Sequence, residues 1–358
     1  MEKVLLVNEI VKEKGALLFM QLIPESGETM SEFCQRLSQL LSSYDRQLVK
    51  VTCFGDLASQ LAFELELTSR FGPEFPLTWI EGETCSDSFM NGMQVWAFKG
   101  QLEYFQANGD AKGCCFEDEQ GSYLFMGDLL SAPAQNPEDG YAELLLQVNS
   151  LLNEKGFAFT DIVRTWYYLD DILSWYDAFN RVRTRFFKQY GVFEKLVPAS
   201  TGVSGKNKRA TAVTMELLAF RPKVETVDLK QVQSPLQNEA GEYGSSFSRA
   251  IRIGTEAYQL MTISGTASIL PSGETANIGD VQKQIAHSFE VIGQMVKNEG
   301  YSFNDITRAT AYLKDHSSYE LLQSFLCENP DYQVPLVVTQ NTICRDDLLF
   351  EVEMDLVK

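Results

Sequence analysis

Three observations predict an α+β chain of three tandem domains. A sixteen-residue segment occurs twice, each third of the chain closes on the same spacing, and each third reads β-β-α-β-α-β-β. Residues 156–171 read GFAFTDIVRTWYYLDD and residues 300–315 read GYSFNDITRATAYLKD, with eight of sixteen positions identical and no gap. A period of 144 residues is too long for a solenoid and indicates duplicated domains. Pro198 lies eighteen residues before Glu216, Pro335 eighteen before Glu353, and Pro76 eighteen before Gln94. The ending Ala97-Phe98-Lys99 returns as Ala219-Phe220-Arg221, and these two signals are the support for a repeat in the first third. The boundaries that follow are a degenerate domain at 1–100, a second domain at 101–222, a polar linker at 223–242 and a third domain at 243–358, each repeat of ordinary domain size.

The elements are justified in chain order. In the first domain, strands are expected at 17–23, 48–54, 77–82 and 93–99, with helices at 30–44 and 57–71. In the second, a strand at 123–127 precedes a helix at 142–154, a strand at 162–169, a helix at 175–189, a strand near Pro198 and another at 212–220. In the third, paired strands at 248–253 and 257–264 turn at Gly254-Thr255. Val281, Ile285, Phe289, Ile292 and Val296 then recur at helical spacing, and Gly300 suits the cap after that helix. A strand at 306–313, a short helix at 318–327 and strands at 334–339 and 348–356 complete it. One sheet with helices on one face needs cover on the other. Three such sheets can supply it by packing on each other, as an intramolecular pseudo-trimer.

Composition excludes several classes. The chain has 358 residues, is 44% hydrophobic and carries a net charge of −19, which opposes phosphate backbones and argues against nucleic-acid binding. The opening MEKVLLVNEIVKEKG breaks its apolar run with Glu and Lys, unlike a signal peptide, and no run is long enough for a membrane span. Seven cysteines without C-x-x-C fit reduced thiols in a cytoplasmic setting, and two histidines, His287 and His316, build no metal site. The expected partner is a small anionic metabolite, with no metal or cofactor, and a chain that already contains three domains is compatible with a monomer.

The final domain resembles the Rid/YjgF superfamily, whose members form trimers with ligand sites between subunits. The resemblance rests on SGTAS at 264–268, DITRATAYLKD at 305–315 and the closing pair Glu351 and Glu353. The whole chain resembles the chorismatase branch, in which such domains are fused. SGTASI at 264–269, the Gln-rich helix after Gly279-Asp280, ICRDDLLFEVE at 343–353, RTWYY at 164–168 and PASTGVSG at 198–205 carry that likeness, and the first domain hardly shares it. Chorismatases follow the small-residue motif with Gly-His, where Leu270-Pro271 stands here, and their Arg-x-Trp strand continues with Asn, where Tyr167 stands. The resemblance implies hydrolysis of the enolpyruvyl ether of chorismate or a related cyclic carboxylate. The alternatives are a non-catalytic metabolite-binding protein and a Rid-type imine deaminase. Simple Rid deaminases bind a carboxylate with an arginine two residues after the strand proline, and Thr78, Ser200 and Val337 occupy those positions.

Vinyl-ether hydrolysis needs an acid that protonates the methylene carbon, and a carboxyl is kept protonated by burial or a like charge. Glu351 and Glu353 lie two apart on a strand and share a face. Glu351 is the better acid because Gly92 and Thr214 stand at its place in the other repeats, whereas Glu353 is matched by Glu216. By resemblance Glu351 is the catalytic glutamate and Cys344 lies near the pocket; read alone, Cys344 is equally buried filler. Gly265, Thr266 and Ala267 let a ligand approach the backbone, or form a tight strand end. Arg181 and Arg185 share a helix face that Arg183 does not, and form either an anion clamp or a solvated basic face. Arg345 orients a carboxylate or pairs with Asp346 or Asp347. Trp166 and Tyr167 wall the pocket or fill an interface, and Ser200, Thr201 and Gly202 are binding candidates from the PASTGVSG loop. Arg164 and Arg308 recur, each three after an Asp, which points to fold-level ion pairs.

Overall fold

A computed structural model describes residues 9–84, 88–239, 241, 245–334 and 336–358. Residues 1–8, which open the run read against a signal peptide, Pro335 of the third Pro spacing, and parts of the boundary at 240–244 lie outside the described residues. The first domain contains β1 (Glu9–Lys14), β2 (Leu17–Leu22), α1 (Met30–Tyr44), β3 (Gln47–Gly55), α2 (Leu57–Phe71), β4 (Leu77–Glu81), β5 (Glu83–Thr84) and β6 (Gly92–Phe98). The second contains β7 (Leu102–Ala107), β8 (Asp110–Glu117), β9 (Gly121–Leu130), α3 (Pro137–Glu154), β10 (Ile162–Leu169), α4 (Ile172–Gln189), β11 (Ala199–Ser204) and β12 (Val213–Pro222). The third contains β13 (Asp228–Val232), β14 (Ala250–Gly254), β15 (Gln259–Ala267), α5 (Val281–Asn298), β16 (Ile306–Leu313), α6 (Tyr319–Glu328), β17 (Val337–Gln340) and β18 (Phe350–Val357).

One pattern recurs in the three sheets: β2-β6-β3-β4, β9-β12-β10-β11 and β15-β18-β16-β17. In each, a helix (α2, α4 or α6) connects the parallel pair at the end of the pattern. The register is shared as well, since Gln94 faces Thr52, Glu216 faces Trp166, and Glu353 faces Thr310. The first third is thus built on the same plan as the other two. Local signals set the helix ends. Thr29 and Glu32 form a capping box before α1, Asn136 accepts from the Asp139 N–H ahead of Pro137, and Gly300 takes φ +76° after α5.

Two expectations about order and boundaries change. The stretch read as a linker contains β13, which pairs antiparallel with β14 and extends the third sheet. Its five residues are too short for a clear periodic signal, and the strand is stabilised by its partner. The second sheet likewise gains β7 and β8, while β5 leaves the first domain and pairs with β17 of the third.

Each domain buries a helix–sheet core of its own. The opposite sheet faces turn inward and meet in a shared cluster: Phe54 and Ile80 from the first domain, Trp166, Tyr168 and Val203 from the second, and Tyr312 and Val337 from the third. Burying such side chains contributes about 1.5–3 kcal/mol each, so the three domains stabilise one another. Among the described residues, no helix is long and apolar enough to cross a membrane.

Candidate active site between the second and third domains

The inner sheet faces carry buried charges in a cyclic order. Lys50 and Thr52 of the first domain bind Glu216 of the second, at 3.2 and 2.8 Å. Arg164 and Trp166 of the second bind Glu353 of the third, at 2.5 and 3.0 Å. Arg308 and Thr310 of the third bind the amide of Gln94 of the first, both at 2.9 Å. Arg308 also bonds Glu353 at 2.7 Å and Asp355 at 2.8 Å. The recurrent arginines therefore make fold-level ion pairs, but not with the aspartates three residues earlier: Asp161 and Asp305 accept the N–H groups of Ala158 and Ser302. Trp166 sits among the three cations, with Lys50 and Arg164 each 4.6 Å and Arg308 5.0 Å from its ring centre.

Glu353 is fully buried and also accepts from Tyr312 and Thr201. Burial alone would raise its pKa, but Arg308 and Arg164 outweigh it and hold Glu353 at about 2. Glu351 has the opposite environment. It is 5% exposed and has no hydrogen-bond partner among the described residues. Burial, and then the negative Glu353, push it up to about 8, against a weaker pull from Arg164. The pair places a permanent carboxylate beside a carboxylic acid that is neutral at pH 7, the arrangement general-acid catalysis requires.

The Glu351 carboxyl lies over Gly265. A Cβ on Gly265 would come 1.9 Å from Glu351 Oε1, so a side chain there would displace the carboxyl. Around the acid is a small cavity of about 40 Å³ between the domains, lined by Tyr176, Arg183, Ser200 and Gly202 from the second and Gly265, Ala267 and Cys344 from the third. A water needs roughly 10–15 Å³, so the cavity holds about three waters or a small carboxylate group. Tyr176, Ser245, Cys344 and Arg345 also line a wider groove of about 1140 Å³ along α4, which makes the cavity its inner end.

Arg183 is one of three arginines that line the cavity, with Arg249 and Arg345. It is 2% exposed, donates to Ser200 Oγ at 3.3 Å and Asn180 Oδ1 at 2.7 Å, and its buried Nε has no partner. It stacks over Phe179 at 5.0 Å and Tyr167 at 5.7 Å. Among the described residues it has no ion-pair partner. A buried cation without an anion is costly, so a carboxylate ligand in this cavity would relieve it.

The structure brings together Glu351, Gly265, Ala267, Cys344, Arg345, Ser200 and Gly202, and separates the rest. Glu353 and Thr201 stand behind Glu351, and Thr201 also accepts from the Gly265 N–H at 2.9 Å. Thr266 turns away and donates to Ser264 O at 2.9 Å. Trp166 lies at the three-domain junction and Tyr167 in the second domain's core, so neither walls the cavity. Arg181 and Arg185 line the outer groove; on α4 it is Arg183 that points inward. Arg345 donates to Gly273 O at 2.6 Å, while Asp346 pairs with Lys314 and Asp347 accepts from Thr275. Burial, then Glu351, push the Cys344 thiol up to about 12, so it is no nucleophile near neutral pH. Gln284 holds the Cys344–Arg345 loop by donating to Asp347 O and accepting from the Leu349 N–H. Sequence reasoning missed Arg183, Arg249 and Tyr176. The available signal was a charge on the apolar face of α4, four residues from both Phe179 and Phe187.

Comparisons with known proteins agree with this architecture. Residues 241–354 match the family model for endoribonuclease L-PSP. The crystal structure of a chorismatase aligns over 96% of this chain and 100% of its own, with TM-score 0.69 and 18% identity. E. coli TdcF with bound serine and RidA from an Antarctic Psychrobacter each cover 36% of this chain and 98% of their own, at 21% identity and TM-score 0.30. No curated protein matches the chain. The last third of the chain thus matches the endoribonuclease L-PSP (Rid/YjgF) family model, and the chain as a whole has the fold of the chorismatase.

Proposed function

We propose that this protein is a chorismatase-like hydrolase in which Glu351 is the general acid. The observation that carries this reading is a neutral carboxylic acid and an uncompensated guanidinium, Arg183, in one small cavity between the second and third domains. Arg183 binds the carboxylate of an enolpyruvyl group, and Glu351 delivers its proton to the methylene carbon. Water adds to the resulting oxocarbenium carbon and returns a proton to Glu351. The hemiketal then breaks its bond to the ring oxygen, releasing pyruvate and the ring alcohol. Glu353 stays ionised, keeps Glu351 protonated and forms no bond to substrate. The ring lies towards the groove, since the inner cavity is too small for it.

The test is purified protein with chorismate, followed by pyruvate release. Glu351→Gln is expected to lower the rate at least a hundredfold. Wild-type turnover should fall as pH rises through about 8, where Glu351 loses its proton. Saturable chorismate binding without pyruvate would instead make this a metabolite-binding protein.

One observation favours a second reading. Arg183 reaches Ser200, the position at which Rid deaminases carry their carboxylate-binding arginine. The guanidinium is thus supplied from α4 rather than β11, and turnover of 2-iminopropanoate would identify a Rid-type deaminase.

A further inference from the structure

The groove along α4 has a charge pattern that the inner chemistry does not use. Arg181, Arg185 and Lys188 follow one another at i, i+4 and i+7, and all three line the groove together with Arg345. The acids lining it are Glu138 and Asp177. Arg181 pairs with Glu138 only at 3.7 Å, with side chains 63% and 43% exposed. Arg185 and Lys188 have no ion-pair partner among the described residues. Several exposed cations elsewhere in this acidic chain are paired, as Lys99 is with Asp45, Lys208 with Glu64, Arg209 with Asp110 and Lys223 with Glu117. A row of unpaired or loosely paired cations beside a buried arginine marks a path for anions through a field set by −19 net charge.

We propose that the groove is a second oxyanion subsite, formed by Arg185 and Lys188 with Arg181 recruited from Glu138, for a ligand whose small reacting carboxylate occupies the inner cavity. The cavity admits about one carboxylate and its neighbouring atoms, and the groove is more than twenty times larger. The body of the ligand therefore lies along α4, with a carboxylate or phosphate of its own on these side chains. The proposal deepens the carboxylate-binding reading of the inner cavity and is independent of whether the ether is cleaved.

The test titrates the whole protein by calorimetry with pyruvate, which fits the inner cavity, and with inorganic phosphate while pyruvate is saturating. Phosphate is expected to bind with pyruvate present, and more weakly as ionic strength rises. The double variant Arg185→Gln/Lys188→Gln should weaken phosphate at least tenfold and leave pyruvate within twofold. Arg183→Gln should do the reverse. Acetate in place of phosphate, again with pyruvate saturating, distinguishes a carboxylate from a phosphate subsite by which binds more tightly. Absence of phosphate binding, competition between phosphate and pyruvate, or unchanged phosphate affinity in the double variant would overturn the proposal. Because Arg185 and Lys188 are exposed, both substitutions should leave the melting temperature unchanged. Loss of pyruvate release from chorismate alone, with both subsites intact, would count against the hydrolase and not against the subsite.

Discussion

Glu351 and Glu353 project from the same face of one strand and end in opposite charge states, because Arg308 and Arg164 reach only one of them. This has a consequence for stability. The folded-state pKa of Glu351 is raised from 4.5 to about 8, so over that window the unfolded chain ionises while the folded chain cannot. The contribution of Glu351 to stability therefore falls as pH rises from about 4.5 to 8. Glutamine is neutral in both states and escapes this loss. Glu351→Gln is expected to lower activity at least a hundredfold yet raise the unfolding free energy in urea relative to wild type at pH 8, by on the order of 4 kcal/mol, with no gain at pH 4. A midpoint lowered at both pH values would show that Glu351 is ionised in the fold. Glu351 was legible in the sequence because the repeats disagree there, with Gly92 and Thr214 in its place. Arg183 was not, because periodicity assigns a charge to the outer face and only the neighbouring domain supplies the cavity that takes it inward.

At the scale of elements, the acid is positioned by an irregularity in the strand paired beside its own. β15 and β18 pair with a register shift between Ile263 and Thr266, and Gly265 lies in that irregularity, directly beneath the Glu351 carboxyl. Gly265→Ala should displace the carboxyl and lower turnover by at least tenfold, while circular dichroism and the native fold are retained; unchanged kinetics would mean that Glu351 does not act from this position. Helices and central strands were legible in the sequence because periodicity and burial agree, as in β10 and β16, whose bounds match expectation. β13 was not, since a five-residue edge strand has partial burial and its partner strand, rather than its own pattern, stabilises it. The same reasoning covers Trp166. The sequence places it on a strand, but only the meeting of three domains makes it the donor to Glu353. Trp166→Phe removes that donor and is expected to cost about 1–3 kcal/mol in urea unfolding; a cost below a few tenths would make the indole filler.

For the whole molecule, duplication with divergence has left a glutamate at the Glu351 position in one copy of three. Between the first and second domains, Thr214 stands where Glu351 would be, and Asp128, at the register position of Gly265, donates its N–H to Thr78 Oγ1 at 2.8 Å. Between the third and first, Gly92 stands where Glu351 would be, and a Cβ added to it would meet Val337 Cγ2 at 2.7 Å. The first domain, which contributes no residue to the candidate active site, still sets its charge balance. The junction holds three cations, Lys50, Arg164 and Arg308, and three anions, Glu216, Glu353 and Asp355, while the first domain contributes the neutral Gln94 where its siblings have glutamates. A fourth carboxylate at Gln94 would draw Arg308 away from Glu353 and lose the amide N–H bonds to Gln21 and Thr310. Gln94→Glu is therefore expected to destabilise the chain by roughly 3–5 kcal/mol, with part of the loss recovered below pH 5, where the new acid can protonate. Gln94→Met, which removes the same hydrogen bonds without adding charge, should cost less, about 1–3 kcal/mol. Equal losses for the two variants would place the effect in packing rather than charge, and would remove the first domain from the control of Glu353.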